Sequence, residues 1–411
     1  MRLGDILAVS VIALFLILGL IRLYPYHNSL PSLLESELND DWVWYARLSL
    51  DIKNGETPAI PVSYRWPLPS GFLYYYFIAF CFKVFGENTA PVYLVQHLTI
   101  GISCAAMYWA FREKMRPVTG MFFLLGLALF SLLDIYKNYA ARLLSENLTF
   151  FIMPLFFLCF IKGFERDDLR LQFLSASLLG LAISTRANII FFAAALITLI
   201  APFYMRKRGP IYPFLFAGIM FLAISSVPLM NYSISGKWNL FPNAVTGTMQ
   251  AVRTAYPVPA DLDLAAVDRC PFYRVMNRIE RDISVYAEYM RQRPAFFFGR
   301  YIKNIIFSLG FCSVLSPSYR WRPHWMVMWI GYFLYLFLRF RKRRPMELWE
   351  AAAHLYILFY YGSVILLTNI HNYGFRFLAP AINFVLIFLF LALDELSGKR
   401  ERGIRKEMPC R

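Results

Sequence analysis

The chain has 411 residues, of which 58% are hydrophobic and 18% aromatic, and it carries a formal net charge of +16. Repeated apolar runs of near-bilayer length predict a polytopic, all-α integral membrane protein and exclude an ordinary soluble domain. Much of the basic charge lies in short loops between these runs, where it reports orientation and does not indicate nucleic-acid binding. The six cysteines are scattered without a CxxC pair, so neither a zinc site nor a disulfide framework is predicted.

About ten apolar segments are predicted to cross the membrane, with both chain ends in the cytoplasm. They lie near 6–23, 91–111, 118–136, 147–162, 171–185, 188–204, 211–230, 324–340, 350–368 and 375–393. The first lacks a small-residue cleavage site after its apolar run, which favours a retained anchor over a signal peptide. Lys and Arg mark cytoplasmic loops. The basic stretches that should therefore face the cytoplasm are 112–116, 162–170, 206–208, 339–344 and 399–406.

Two more apolar segments, 71–86 and 301–317, are predicted to lie at the outer membrane interface. If either one crossed the bilayer, the basic loop that follows the next span would move to the outer side. The segment 71–86 is also short for a span and rich in tyrosine, which is typical of interfacial helices.

The chain is therefore predicted to be a single transmembrane domain, 1–411, with two large outer loops at 24–90 and 231–323. The second loop begins with irregular, Pro-rich sequence and continues with an apolar stripe at helical spacing that ends at Pro294. This stripe predicts an amphipathic surface helix, for which we favour the role of a lid or scaffold. The stripe consists of Phe272, Val275, Met276, Ile279, Ile283, Tyr286 and Met290.

An acidic pair, Asp40 and Asp41, lies just outside the first span. Asn39 or Asp40 is suited to cap a helix running to about Asn54, and an acid in its first turn suits the helix dipole. Capping explains one acid but does not require two. Because adjacent carboxylates repel, the pKa of one tends to rise, which suits a general base. We therefore predict a functional role for the pair.

The segment 134–149 joins two spans on the outer side and offers further polar candidates. The alternative interpretation is structural, because Ser145 is a suitable N-cap for a helix beginning near Asn147. The candidates in this segment are Tyr139, Arg142 and Glu146.

Two arginines lie where apolar runs begin or break. Arg186 lies between two runs, and an arginine at membrane depth usually has a partner, here either Glu146 or a bound anion. Arg376 opens the last span at the outer interface, at the level of lipid phosphates, although snorkelling is the alternative. His371 and Tyr373 precede Arg376 and are candidate supporting residues.

Taken in order, these segments resemble the GT-C superfamily of membrane glycosyltransferases. The similarity is to its bacterial branch, related to protein O-mannosyltransferases and the lipid A aminoarabinose transferase. The segments that carry it are Asp40-Asp41 with 44–46 (first acidic motif), 67–86 (interfacial helix), 141–146 (second acidic segment), 184–186 (Thr-Arg-Pro, here with Ala187 for proline), 300–317 (juxtamembrane stretch) and 373–380 (arginine-rich helix opening). The family's first motif is often Asp-Glu, and relatives often carry two arginines where Arg376 stands alone.

This resemblance implies a GT-C type fold and sugar transfer from a polyprenyl-phosphate donor to an acceptor hydroxyl at the outer face, with inversion. It assigns Asp41, with Asp40 as second choice, to the general base, and Arg376 and Arg186 to the donor phosphate. The residues assigned to the acceptor or to support are Glu146, Arg142, Tyr139, His371 and Tyr373. Metal independence is predicted, with a divalent cation as the alternative because some relatives use one.

Two other functions stay open from the sequence. A transporter or flippase of lipid-linked sugars would also use outer arginines, but it does not need the acidic pair. A polymerase or ligase of surface polysaccharide would use a diphosphate-linked donor. The expected partners are the donor, membrane lipids and a lipid, glycan or protein acceptor. The expected location is a bacterial plasma membrane with the site facing the periplasm.

Overall fold

The computed structural model describes residues 3–23, 41–56, 72–136, 145–235, 258–268, 278–309, 322–367 and 370–397. Within these ranges all regular elements are helical, which confirms the all-α prediction. The helices are α1 (Leu3–Leu23), α2 (Asp41–Asn54), α3 (Phe72–Phe85), α4 (Thr89–Phe111), α5 (Pro117–Phe130), α6 (Ser145–Glu165), α7 (Leu169–Thr185), α8 (Ile189–Lys207), α9 (Ile211–Ser235), α10 (Ala265–Asp268), α11 (Arg278–Gln292), α12 (Pro294–Ser308), α13 (Pro323–Arg341), α14 (Leu348–Tyr356), α15 (Gly362–Leu367) and α16 (Ile370–Leu396).

Two of these helices continue into short π-helical segments. Ser131–Tyr136 extends α5, and Ile357–Tyr361 joins α14 to α15. A π segment inserts an extra residue into a helical turn and so changes the direction of the side chains that follow. Both segments carry residues that matter for the site described below.

A helix is present at each of the ten predicted spans. The described part of α6 starts at Ser145, so Glu146 falls in its first turn, where an acid suits the helix dipole. The last helix begins at Ile370 and not near 375. Continuing the helix satisfies its own backbone hydrogen bonds, which is favoured near a bilayer.

Six helices of the described chain are long and apolar enough to cross a membrane by length and composition. They are Leu3–Ile21, Thr89–Lys114, Pro117–Ile135, Ser145–Glu165, Ile189–Lys207 and Leu378–Leu396. Three shorter apolar helices are Leu73–Phe85, Leu169–Thr185 and Ile211–Ser226. The total of ten spans therefore stays a prediction.

The last helix, α16, lies at the centre of the bundle. It packs against α5, α6 and α13, and 78% of its most apolar window is buried. Aromatic rings fill the space around it: the centroid of Phe384 lies 4.5 Å from that of Phe157 and 4.8 Å from that of Tyr356. By contrast α1 packs mainly on α4, where a Cβ on Gly101 would lie 2.8 Å from the Cα of Ile12. The small residue allows these two backbones to approach closely.

Helices α2 and α3 form a small second core beside the bundle, built on tyrosines. The ring of Tyr45 meets that of Tyr74 edge to face, with centroids 4.9 Å apart. Helix α3 also packs against α4 and α7. Each of the two helices has 14 residues and is therefore about 21 Å long, shorter than a bilayer core. The interfacial placement of 71–86 remains a prediction.

Helices α10, α11 and α12 make up the described part of the second predicted loop. Tyr289 packs on Phe297 with ring centroids 4.8 Å apart, and Leu262 and Tyr286 complete this cluster. Helix α11 ends at Gln292, just before Pro294, as predicted. The part of the predicted stripe before Arg278 lies outside the described residues. Helix α12 docks on the bundle through Asn304, whose Nδ2 donates to the carbonyl of Ile365 at 2.9 Å.

Ion pairs join the helix ends at one end of the bundle, and we call this set of pairs the basic belt. Its members are Arg112–Asp5, Lys114–Glu165, Arg116–Asp394, Lys162–Glu113, Arg208–Asp167, Arg339–Glu350 and Lys342–Glu395. The basic loops predicted to share one side of the membrane therefore lie at the same end of the fold wherever they are described.

Candidate functional site

A buried ion pair lies toward the end of the bundle opposite the basic belt. Arg186 Nη2 donates to Glu146 Oε1 at 2.5 Å, and their side chains are only 9% and 3% exposed. Glu146 stands in the first turn of α6, and Arg186 caps the end of α7 with an extended backbone. Of the two partners that the sequence left open for Arg186, the structure shows Glu146. An arginine in such a place is costly to bury, and its carboxylate partner offsets that cost.

Local hydrogen bonds fix the break at which Arg186 stands. Ser184 and Thr185 turn their hydroxyls back onto helix carbonyls four residues earlier, at 3.1 and 2.9 Å. Helix α8 begins three residues after Arg186. Between them, Asn188 Nδ2 donates to Ser363 Oγ at 3.1 Å, which holds the break against α15. The backbone at Arg186 is therefore held on both sides of the break.

A chain of polar and aromatic contacts connects this pair with α2. Asn147, next to Glu146, donates from Nδ2 to Gln96 Oε1 at 3.2 Å. The hydroxyl of Tyr74 bonds the same oxygen, and Tyr74 packs on Tyr45. Asp41 is the first residue of α2, one helical turn before Tyr45, although its side chain lies outside the described part. The helix that begins with the predicted base thus packs on the same group of helices as Glu146.

A second buried ionic cluster joins α5 to α13, and sequence analysis missed it. Asp134, in the first π segment, accepts hydrogen bonds from Arg322, from His324 Nε2 at 2.7 Å and from Trp325 Nε1 at 2.8 Å. Its side chain is only 4% exposed. The signals were an acid at the end of one apolar run and an Arg-Pro-His sequence opening another. Nothing local paired the two, because they lie 188 or more residues apart.

Residues 69–230 match the family described as dolichyl-phosphate-mannose-protein mannosyltransferase. No curated protein matches the chain. Two solved structures of an Archaeoglobus fulgidus oligosaccharyltransferase share its fold, with TM-scores of 0.52 and 0.51 and 12% and 13% sequence identity. One holds a tethered acceptor peptide containing the NVT sequon, and the other, of AglB, holds an inhibitory peptide and a dolichol-phosphate.

These similarities cover 94% of this chain, which spans about half the length of the archaeal enzyme. About two fifths of the chain therefore matches the mannosyltransferase family, and the fold is similar to that of the archaeal oligosaccharyltransferase. The fold and the family match thus confirm the resemblance read from the sequence. The segment that matches the family contains both Glu146 and Arg186, whereas Asp40, Asp41 and Arg376 lie outside it.

Several predicted site residues cannot be placed by their side chains. Asp40, Tyr139 and Arg142 fall outside the described ranges, and for His371 and Tyr373 only the helical backbone of α16 is described. The same holds for Arg376, which lies six residues after the start of α16 and just before its candidate span, Leu378–Leu396. The functional roles of all these residues stay predictions.

Among the described residues, no three His, Cys, Asp or Glu side chains cluster as metal ligands do. Asp40 and the side chain of Asp41 lie beyond that search. The metal independence expected from the sequence is therefore not tested by the described part of the chain.

Proposed function

We propose that this GT-C protein transfers a sugar from a polyprenyl-phosphate donor to an acceptor hydroxyl at the outer membrane face, with inversion at the sugar. The observation that carries the proposal is the buried Glu146–Arg186 pair at the end opposite the basic belt. A guanidinium held at membrane depth is suited to the phosphate of a lipid carrier. The archaeal relative complexed with a dolichol-phosphate supports a lipid-linked donor.

The basic belt supports the outer location. Positively charged loops stay on the cytoplasmic side, so the opposite end, which holds Glu146 and Arg186, faces outward. Single cysteines in a cysteine-free background test this assignment, one replacing Asp263 and one replacing Arg343. A membrane-impermeant thiol reagent should label Asp263→Cys in intact cells and Arg343→Cys only after permeabilisation. The reverse pattern would overturn the outward orientation.

The chemistry needs a base at the acceptor and positive charge at the leaving group. Asp41, with Asp40 as second choice, takes the proton from the acceptor hydroxyl as its oxygen attacks the anomeric carbon. The lipid phosphate leaves with growing negative charge, so an arginine beside it stabilises the transition state more than the ground state. Arg186 and Arg376 are the proposed phosphate ligands, and Glu146 orients the first of them.

The remaining assignments follow from the resemblance to GT-C relatives. Arg142, Tyr139, His371 and Tyr373 support the acceptor or the donor headgroup. We propose that the acceptor is a lipid, glycan or protein hydroxyl, that no metal is required, and that the protein resides in a bacterial plasma membrane with its site in the periplasm.

Release of free polyprenyl phosphate from polyprenyl-phosphate sugars, by purified protein in detergent with membrane extract as acceptor, tests the proposal. Arg186→Gln and Asp41→Asn should each lower the rate by about a hundredfold or more. Arg208→Gln is the matched control, because it removes a charge from an arginine–aspartate pair within the basic belt. Full activity in a folded Arg186→Gln protein would contradict the proposal.

Two outcomes of the same assay would favour the alternatives. Release only from diphosphate-linked donors would indicate a polymerase or ligase. No release from any donor, combined with donor movement across vesicles, would indicate a transporter.

A further inference from the structure

Tyr360 carries a hydroxyl that is buried without a hydrogen-bond partner. Its side chain is fully buried, and its Oη contacts no donor or acceptor at hydrogen-bond distance in the described part of the chain. A buried polar group without a partner costs free energy, and native proteins keep few of them. Each such group therefore calls for an explanation, and one explanation is that a bound ligand supplies the missing hydrogen-bond partner.

The hydroxyl lies beside the Glu146–Arg186 pair. Both charged side chains are within electrostatic range of Tyr360. The hydrogen bond from Asn188 to Ser363 holds the turn after Arg186 against the turn after Tyr360. Tyr360 therefore lies near both charges of the pair, and one of them is the proposed phosphate ligand.

The backbone at Tyr360 is also unusual. It belongs to the π segment Ile357–Tyr361, and π segments of this length occur frequently at functional sites. Tyr356, one turn earlier, is equally buried, but its hydroxyl lies 3.4 Å from the carbonyl of Pro380. The Tyr356 hydroxyl therefore already has an acceptor, whereas the Tyr360 hydroxyl has none in the described part of the chain.

We propose that Tyr360 binds the donor phosphate by donating a hydrogen bond to one of its anionic oxygens when the phosphate is held at Arg186. This inference rests on the proposed function. Glu146 already neutralises Arg186, so a neutral phenol adds a donor without adding charge. Neighbouring helices cover the side chains of Tyr360 and Arg186. The lipid headgroup can therefore reach them only when the helix ends around this pair move apart.

Two variants and two probe lipids test the inference. Binding of a polyprenyl monophosphate and of the matching polyprenyl alcohol is measured on the purified full-length protein, for wild type, Tyr360→Phe and Tyr356→Phe. A hydrogen bond to a charged group predicts that Tyr360→Phe binds the phosphate about ten- to a hundredfold more weakly. Binding of the alcohol should not change. Tyr356→Phe should match wild type for both lipids.

The outcomes separate this inference from the proposed function. Suppose wild type prefers the phosphate and Arg186→Gln abolishes the preference. If Tyr360→Phe then binds the phosphate as tightly as wild type does, and its thermal unfolding midpoint is raised, the role of Tyr360 is overturned. The hydroxyl would be an unsatisfied group that only destabilises the fold, and the proposed function would stand. If wild type does not distinguish the phosphate from the alcohol, the proposed function falls as well. Equal weakening for both lipids would show a packing effect and would also overturn the inference.

Discussion

Replacing Asp134 by asparagine should strongly destabilise the fold. The carboxylate accepts three hydrogen bonds, from Arg322, His324 and Trp325, whereas an amide has one acceptor oxygen and adds its own N–H donors. The change removes a charge-assisted hydrogen bond, worth about 1.5–3 kcal/mol, and leaves a buried donor unsatisfied, at about 1–3 kcal/mol. The free energy of unfolding should therefore fall by about 3–5 kcal/mol, the range found when one partner of a buried pair is removed.

The assay is reversible denaturation in mixed micelles, followed by tryptophan fluorescence. Asp261→Asn is the matched control, because Asp261 pairs with Arg293 at 2.5 Å but its side chain is 73% exposed. An exposed pair contributes about 0–1 kcal/mol. The double variant Asp134→Asn/Arg322→Gln should lose less than the sum of the two single changes, since the partners share one network. Equal losses for Asp134→Asn and Asp261→Asn would refute the reasoning.

Two further predictions concern a surface helix and a helix crossing. Hydrogen bonds from Arg291 lower the pKa of Glu288 from 4.5 to about 2, so their contribution is complete above pH 4.5 and is lost as the pH falls through about 2. Hydrogen exchange in α11 should accelerate over that range, and Glu288→Gln should flatten the dependence; an unchanged profile would contradict the assignment. Gly101→Ala should lower the free energy of unfolding by about 1–3 kcal/mol, because the added methyl group crowds α1; thermal unfolding measures this loss. Gly218→Ala, where a Cβ meets open space, should be neutral or slightly stabilising, and similar losses at both sites would contradict the packing argument.

The helices could be predicted because their signals are local. Apolar length and flanking basic residues mark spans, and the stripe ending at Pro294 marked α11. The sequence also offered Glu146 as a partner for Arg186, because an arginine at membrane depth needs a counter-charge. Each of these inferences depends on what lies within one or two segments of the chain.

The rest depends on how distant helices pack, which hydropathy does not encode. Asp134 meets Arg322 across 188 residues of sequence, and each alone looks like an ordinary residue at a helix end. Tyr360 reads as one more aromatic in an apolar run, and only the π segment and its missing acceptor set it apart.

The basic belt makes the bundle mechanically unequal from one end to the other. Ion pairs fasten the ends of α6, α8, α13 and α16 to their neighbours, and none of the described contacts ties the opposite tips together as extensively. When helices are joined at one end, a small tilt of a helix at that end produces a larger displacement at its other end. We therefore expect a lipid tail to enter from the side between helices at the end opposite the belt, where fewer described ion pairs join them, while the belt keeps the helices in register.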